Sequence, residues 1–216
     1  MKKLILLVCY TSAMHPVIAQ DQNLLVPAIV KNRIIKIDFF SPLTGNTTLG
    51  YEQVLANSIT LTGDIGIIGA SLAPMSSHAK GIFVEAGTKF YFSPDYLIDG
   101  MKRFNDFQGT YFSPQIIYSG FGFDYNTVSY KTDRGVNNSF ALMLEFGKQW
   151  ILVKTLALDF HAGIGYGWSQ IYAPDYSGGI NYDLNFLVPY KFSHVQVSND
   201  YPLAINAGFK VGILLK

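Results

Sequence analysis

The sequence predicts an all-β fold, an eight-stranded antiparallel transmembrane β-barrel, and three observations predict it. Apolar residues alternate with polar or very small ones at period two, over repeated segments of about ten residues. Hydrophobic residues make up 49% of the chain and charged ones only 14%, with 15% aromatics and 20 glycines. No run of about 18 apolar residues is present, so no spanning helix is written in the chain. Backbone groups left unpaired in hydrocarbon are costly, so an apolar chain that spans without helices must close its strands into a barrel.

The N-terminus comes first. In MKKLILLVCYTSAMHPVIAQ, Lys2 and Lys3 form a basic end, Leu4 to Met14 an apolar middle, and Val17-Ile18-Ala19 a small-residue cut site. This is the pattern of a secretory signal peptide over 1–19, cleaved near Ala19. A periplasmic leader over 20–32 and the barrel over 33–216 complete the expected organisation. Cys9 lies too early for a lipoprotein cysteine and belongs to the signal, which leaves the exported part without thiols. Without Lys2 and Lys3, 14 of the 16 basic residues face 15 acidic ones, a net charge of −1. That balance gives no electrostatic case for binding nucleic acid.

The strands follow in order. RIIKIDFFS sets Ile35, Ile37 and Phe39 against Lys36 and Asp38; NTTLGYEQVL sets Leu49 and Tyr51 against Thr48, Gly50 and Glu52. SITLTGDIGIIG opposes Ile59, Leu61, Ile65 and Ile67 to Thr60, Thr62, Asp64 and Gly66. GIFVEAGTKFYFS opposes Ile82, Val84, Ala86, Phe90 and Phe92 to Glu85, Gly87 and Lys89. The fifth strand, GTYFSPQIIYSGFGFDY, puts Phe112, Ile116 and Tyr118 on one face while Phe121 and Phe123 fall out of phase, which predicts a bulge near Ser119-Gly120. SFALMLEFGKQW turns Phe140, Leu142, Leu144 and Phe146 away from Ala141, Glu145, Gly147 and Gln149. TLALDFHAGIGYGWS carries a column from Leu156 to Trp168 opposite Asp159, His161, Gly163, Gly165 and Gly167. YPLAINAGFKVGILL closes the set, with Leu203, Ile205, Phe209, Val211 and Ile213 opposite Asn206, Gly208, Lys210 and Gly212.

An even strand number places both barrel termini on the periplasmic side. LANS and ILVK then serve as short periplasmic turns, although SPDYLIDGMKRFNDFQ is long for one. DYNTVSYKTDRGVNN and the stretch 170–200 are the expected external loops. Within the latter, NYDLNFLV and YKFSHVQV form either a hairpin above the membrane or two further spanning strands, making ten; their shortness favours the hairpin.

The apolar face is expected to meet lipid and the mixed face to turn inward, where eight strands leave room only for side chains. That inward face brings Lys36, Asp38, Glu52, Asp64, Glu85, Lys89, Glu145, Asp159, His161 and Lys210 into one lumen charge network. Unpaired buried charge is costly, so the expected role is a mutually satisfied plug. Two aromatic girdles are expected as well: Phe90, Phe92, Phe112 and Trp150 at the periplasmic ends, and Phe39, Phe140, Tyr166, Trp168 and Tyr201 at the outer ends.

The stretches KIDFFSPLTGNTTLGYEQVLANSITLTGDIGIIG, KGIFVEAGTKFYFSPDY and GTYFSPQIIY resemble the small outer-membrane β-barrel proteins common in Bacteroidetes, over about Lys36 to Lys216. The resemblance implies a barrel in the outer membrane of a Gram-negative bacterium, with outer-membrane lipids and the barrel assembly machinery as partners. Many such barrels end in an aromatic residue, whereas this chain ends GILLK.

No catalytic constellation stands out. Asp159 and His161 share a strand face, but no nucleophile-elbow glycine pattern or close histidine pair accompanies them. The apolar face offers no rim of Ser, His and acidic residues for a lipid hydrolase, and His78 and His194 fall singly in loops. The chain is therefore expected to be no enzyme and to hold no cofactor or metal. The function expected is a structural barrel, or a surface-recognition barrel acting through its loops on an unidentified ligand. The alternatives are a small solute or ion pore, and a soluble exported barrel that binds a small apolar ligand.

Overall fold

The computed structural model describes residues 31–72, 78–92, 106–126, 132–172, 195–197 and 202–216. The expected signal peptide and all but the end of the leader lie outside them. The strands are β1 Arg33–Asp38, β2 Asn46–Ala56, β3 Ile59–Ile68, β4 Lys80–Phe92, β5 Gly109–Asn126, β6 Thr132–Leu152, β7 Leu156–Tyr172, β8 Val195–Val197 and β9 Leu203–Leu215. A four-residue helix, α1 Ser41–Thr44, makes the turn between β1 and β2 and is closed by Gly45 in the left-handed conformation. All pairings are antiparallel and run in order from β1 to β7, then to β9, which pairs back onto β1. The protein is an all-β, closed eight-stranded antiparallel barrel; β8 is a short ninth strand along the edge of β9.

Closure is staggered. From Ile35, paired residues lead through Tyr51, Gly63, Ala86, Ile116, Leu142 and Tyr166 to Leu203, whereas Ile35 itself pairs with Ile213. The ladder thus returns ten residues away from where it began. With eight strands and ordinary strand spacings, that offset corresponds to a tilt of about 40° and an interior that side chains fill. The offset is even, so each strand keeps its face all the way round.

The two-residue connection Asn57-Ser58 and the turn at Val153-Lys154 lie at one end of the barrel with the start of β1 and the end of β9, hereafter the turn end. The opposite end, where β5 and β6 rise highest, is the loop end.

Two expectations on the strands are corrected. No bulge interrupts β5, whose register with β6 is continuous from Gly109↔Gln149 to Asn126↔Thr132. Phe121 and Phe123 keep the alternation and point inward, because the lumen turns apolar at the loop end. The register shift lies instead in β2, between Val54 and Ala56. The expected external loop DYNTVSYKTDRGVNN is strand for most of its length, since β5 runs to Asn126 and β6 starts at Thr132. Its polar residues suggested a loop, but a hairpin that extends beyond the apolar belt needs no apolar face. Of the expected 170–200 hairpin, Val195–Val197 pairs with Ala204 to Asn206 of β9; the NYDLNFLV stretch lies outside the described residues.

Candidate functional site

Two surfaces with opposite chemistry result from the alternation. One outward residue from each barrel strand, Ile35, Leu49, Ile65, Ile82, Ile116, Leu142, Ile164 and Ile213, is between 46% and 60% exposed. Inside, Lys36, Asp38, Glu52, Asp64, Glu85, Lys89, Glu145, Asp159 and Lys210 are at most 6% exposed. Charge is buried and aliphatic surface is exposed, the reverse of the ordering in water-soluble proteins.

The lumen is layered. At the turn end Ile34, Ala157 and Leu214 pack with Phe107, flanked by Val54 and Ile151. Phe107 belongs to the long connection after β4, so that connection supplies part of the stopper at this end.

Above this layer lies a charge-balanced one. Lys36 donates to Glu52 Oε2, to Gln149 Oε1 at 2.6 Å and to Asp159 Oδ2 at 2.7 Å. Lys89 donates to the same Asp159 oxygen and stands 3.4 Å from Glu52 Oε2. Thr60 and Tyr91 donate to Glu52 Oε1 at 2.7 and 2.8 Å, and Tyr111 donates to Asp159 Oδ1 at 2.6 Å. The Lys89 ammonium also sits 4.1 Å from the centroid of the Tyr111 ring. Two lysines meet two carboxylates here, and charge-assisted hydrogen bonds of this kind offset much of the desolvation cost.

A second layer is acidic. Lys210 donates to Asp64 Oδ2 at 2.7 Å and stands 3.5 Å from Glu85 Oε1. Glu145 accepts hydrogen bonds from Asn206 Nδ2 and, at 3.4 Å, from Gln115 Nε2. One lysine serves three carboxylates. Towards the loop end Phe83, Ile117, Phe121, Phe123, Met143 and Val197 form an apolar layer.

Of the ten expected network residues, eight therefore meet in two adjoining layers. Asp38 stands apart: its Oδ1 accepts the backbone N–H groups of Phe40 and Ser41, each at 3.0 Å, and so caps the β1–β2 turn. His161 is half-buried beside a small polar cavity; it forms no dyad with Asp159, whose oxygens are taken by Lys36, Lys89 and Tyr111. Sequence reasoning did not include Gln149, Tyr91, Tyr111, Thr60, Gln115 and Asn206 among the network residues. All six occupy inward positions by parity, and counting uncharged donors on that face would have found them.

The glycines opposite the apolar column do make room. A Cβ on Gly163 would lie 2.4 Å from Asn206 Oδ1, and one on Gly167 would lie 2.9 Å from Val197 Cγ2. The described residues of the two expected aromatic girdles lie on outward positions, while Phe83, Tyr91, Phe107, Tyr111, Phe121 and Phe123 are buried inside. Phe90 and Phe112 stack at 4.9 Å with Phe92 beside them, and Trp150 meets Phe160 edge-on near the turn end. Phe140, Tyr166 and Trp168 form the loop-end group. Phe39 packs on Phe40 and Phe209 instead, because β1 stops after six residues. Tyr201 and His194 lie outside the described residues. His78 Nδ1 stands 3.2 Å from Asp124 Oδ2 on the exposed surface.

A family model described as protein of unknown function, DUF3575, matches residues 5–187. The chain belongs to the DUF3575 family. The matched residues of this DUF3575 protein include every strand from β1 to β7. No curated protein and no solved structure matches the chain.

Proposed function

We propose that the protein is an integral outer-membrane β-barrel with a plugged lumen, acting as a scaffold that presents its loop end at the cell surface for recognition. The belt of exposed aliphatic side chains on all eight strands carries this reading. In water such a continuous apolar surface would drive association, whereas lipid tails solvate it. The buried charged layers support a plug rather than a pore, since paired side chains and an apolar layer at each end fill the barrel. In this reading the chain is exported, its signal removed near Ala19, and the barrel inserted by the assembly machinery with the turn end in the periplasm. Outer-membrane lipids are its immediate partners, and it performs no catalysis.

The test is fractionation followed by electrophoresis of unheated and boiled samples. Recovery with outer membranes after alkaline washing, together with a heat-dependent change in mobility, is expected. Recovery in the soluble fraction without detergent would overturn the reading.

A further inference from the structure

Between the acidic layer and the loop-end apolar layer lies a cavity of about 10 Å³ whose walls include Glu85, His161, Asn206 and Lys210. Three of these lining residues each carry a buried side-chain atom without a hydrogen bond: Glu85 Oε1, His161 Nδ1 and Asn206 Oδ1. Glu85 and Asn206 are 4% and 8% exposed, so bulk water does not satisfy them. The Asn206 amide is fixed in orientation, because its Nδ2 donates to Glu145 and a carboxylate only accepts. Its oxygen is therefore the free acceptor of an amide that lines the cavity. Lys210 sits 3.5 Å from Glu85 Oε1, too far for a good hydrogen bond, while holding Asp64 at 2.7 Å.

We propose that this cavity is a binding site for a single water molecule. The water donates its two hydrogens to Glu85 Oε1 and Asn206 Oδ1 and accepts from the Lys210 ammonium, with His161 Nδ1 completing the ring of partners. Buried waters typically make about three hydrogen bonds to otherwise unsatisfied groups, and a volume of about one probe sphere admits one. Among the described residues no group of three His, Cys, Asp or Glu side chains converges to hold a metal ion.

The experiment uses the full chain purified in detergent. A high-resolution crystal structure is expected to show one density peak about 2.7–3.2 Å from Glu85 Oε1 and from Asn206 Oδ1. In solution, oxygen-17 relaxation dispersion should count one fewer long-lived water in Gly208→Ala than in the wild type. The added methyl would lie 2.6 Å from His161 Cε1 and displace an imidazole that lines the cavity. If that variant does not fold, the wild-type crystal peak still decides. Melting temperatures in sodium chloride and in choline chloride at equal ionic strength should coincide. Absence of the peak would overturn the proposal, as would a saturable sodium-specific rise in melting temperature, which would assign the cavity to a cation.

Discussion

Lys36 on β1 and Asp159 on β7 pair at 2.7 Å inside the lumen, bridging β9, which separates their strands in the sheet. The pair ties together opposite sides of the closing seam, and Lys89 joins it from β4. Asp159→Asn leaves two buried lysines sharing Glu52 and is expected to destabilise the barrel by about 3–5 kcal/mol. Urea unfolding in detergent measures it. Equal stability of the variant and the wild type would mean that the pair does not hold the seam.

On the outer surface, Ile164 is 56% exposed at the middle of β7. In a bilayer, Ile164→Arg should cost roughly 2–4 kcal/mol near the midplane. In a water-soluble barrel an arginine at so exposed a site would be harmless. Folding yield into lipid vesicles separates these outcomes, and an undiminished yield would remove lipid from the account of the apolar belt.

The turn between β6 and β7 carries strain. Val153 and Lys154 have φ values of 50° and 56°, and Val153 is 93% exposed. In this three-residue connection Thr155 N–H donates to Leu152 O at 3.1 Å, and a turn so closed with both central φ angles positive favours Asn-Gly, a β-branched residue there being disfavoured. The double variant Val153→Asn with Lys154→Gly should raise stability by about 1–2 kcal/mol. No gain in the urea midpoint would show that the strain is relieved elsewhere.

Phe107 is fully buried against Ile34 and Leu214 at the turn end. Phe107→Ala is expected to cost about 3–5 kcal/mol through the cavity it leaves. The wild-type protein in planar bilayers should give no sustained conductance, because this layer, the charged layers and the loop-end layer lie in series. A steady, ion-selective current would reinstate the pore.

The sequence by itself determined the eight barrel strands in outline, their two faces and the all-β class, but not how far β5 and β6 extend. Face parity is a local property, so Ile35 against Lys36 or Leu158 against Asp159 can be read without knowing any partner. Even the awkward Phe121 and Phe123 obeyed parity; the expectation of a bulge failed because the lumen was taken to be polar throughout. Only the tertiary structure decided which inward groups meet. The ten-residue stagger sets the height of each strand against its neighbours, and it is a sum over eight registers that no single segment encodes. That offset helps bring Lys36 and Lys89 onto one oxygen of Asp159. The fold likewise turns Asp38 to its own backbone and gathers Glu85, His161 and Asn206, each with an atom lacking a hydrogen bond, along one small cavity. Long-range contacts of this kind follow from how the barrel closes, whereas alternation needs only the next two residues.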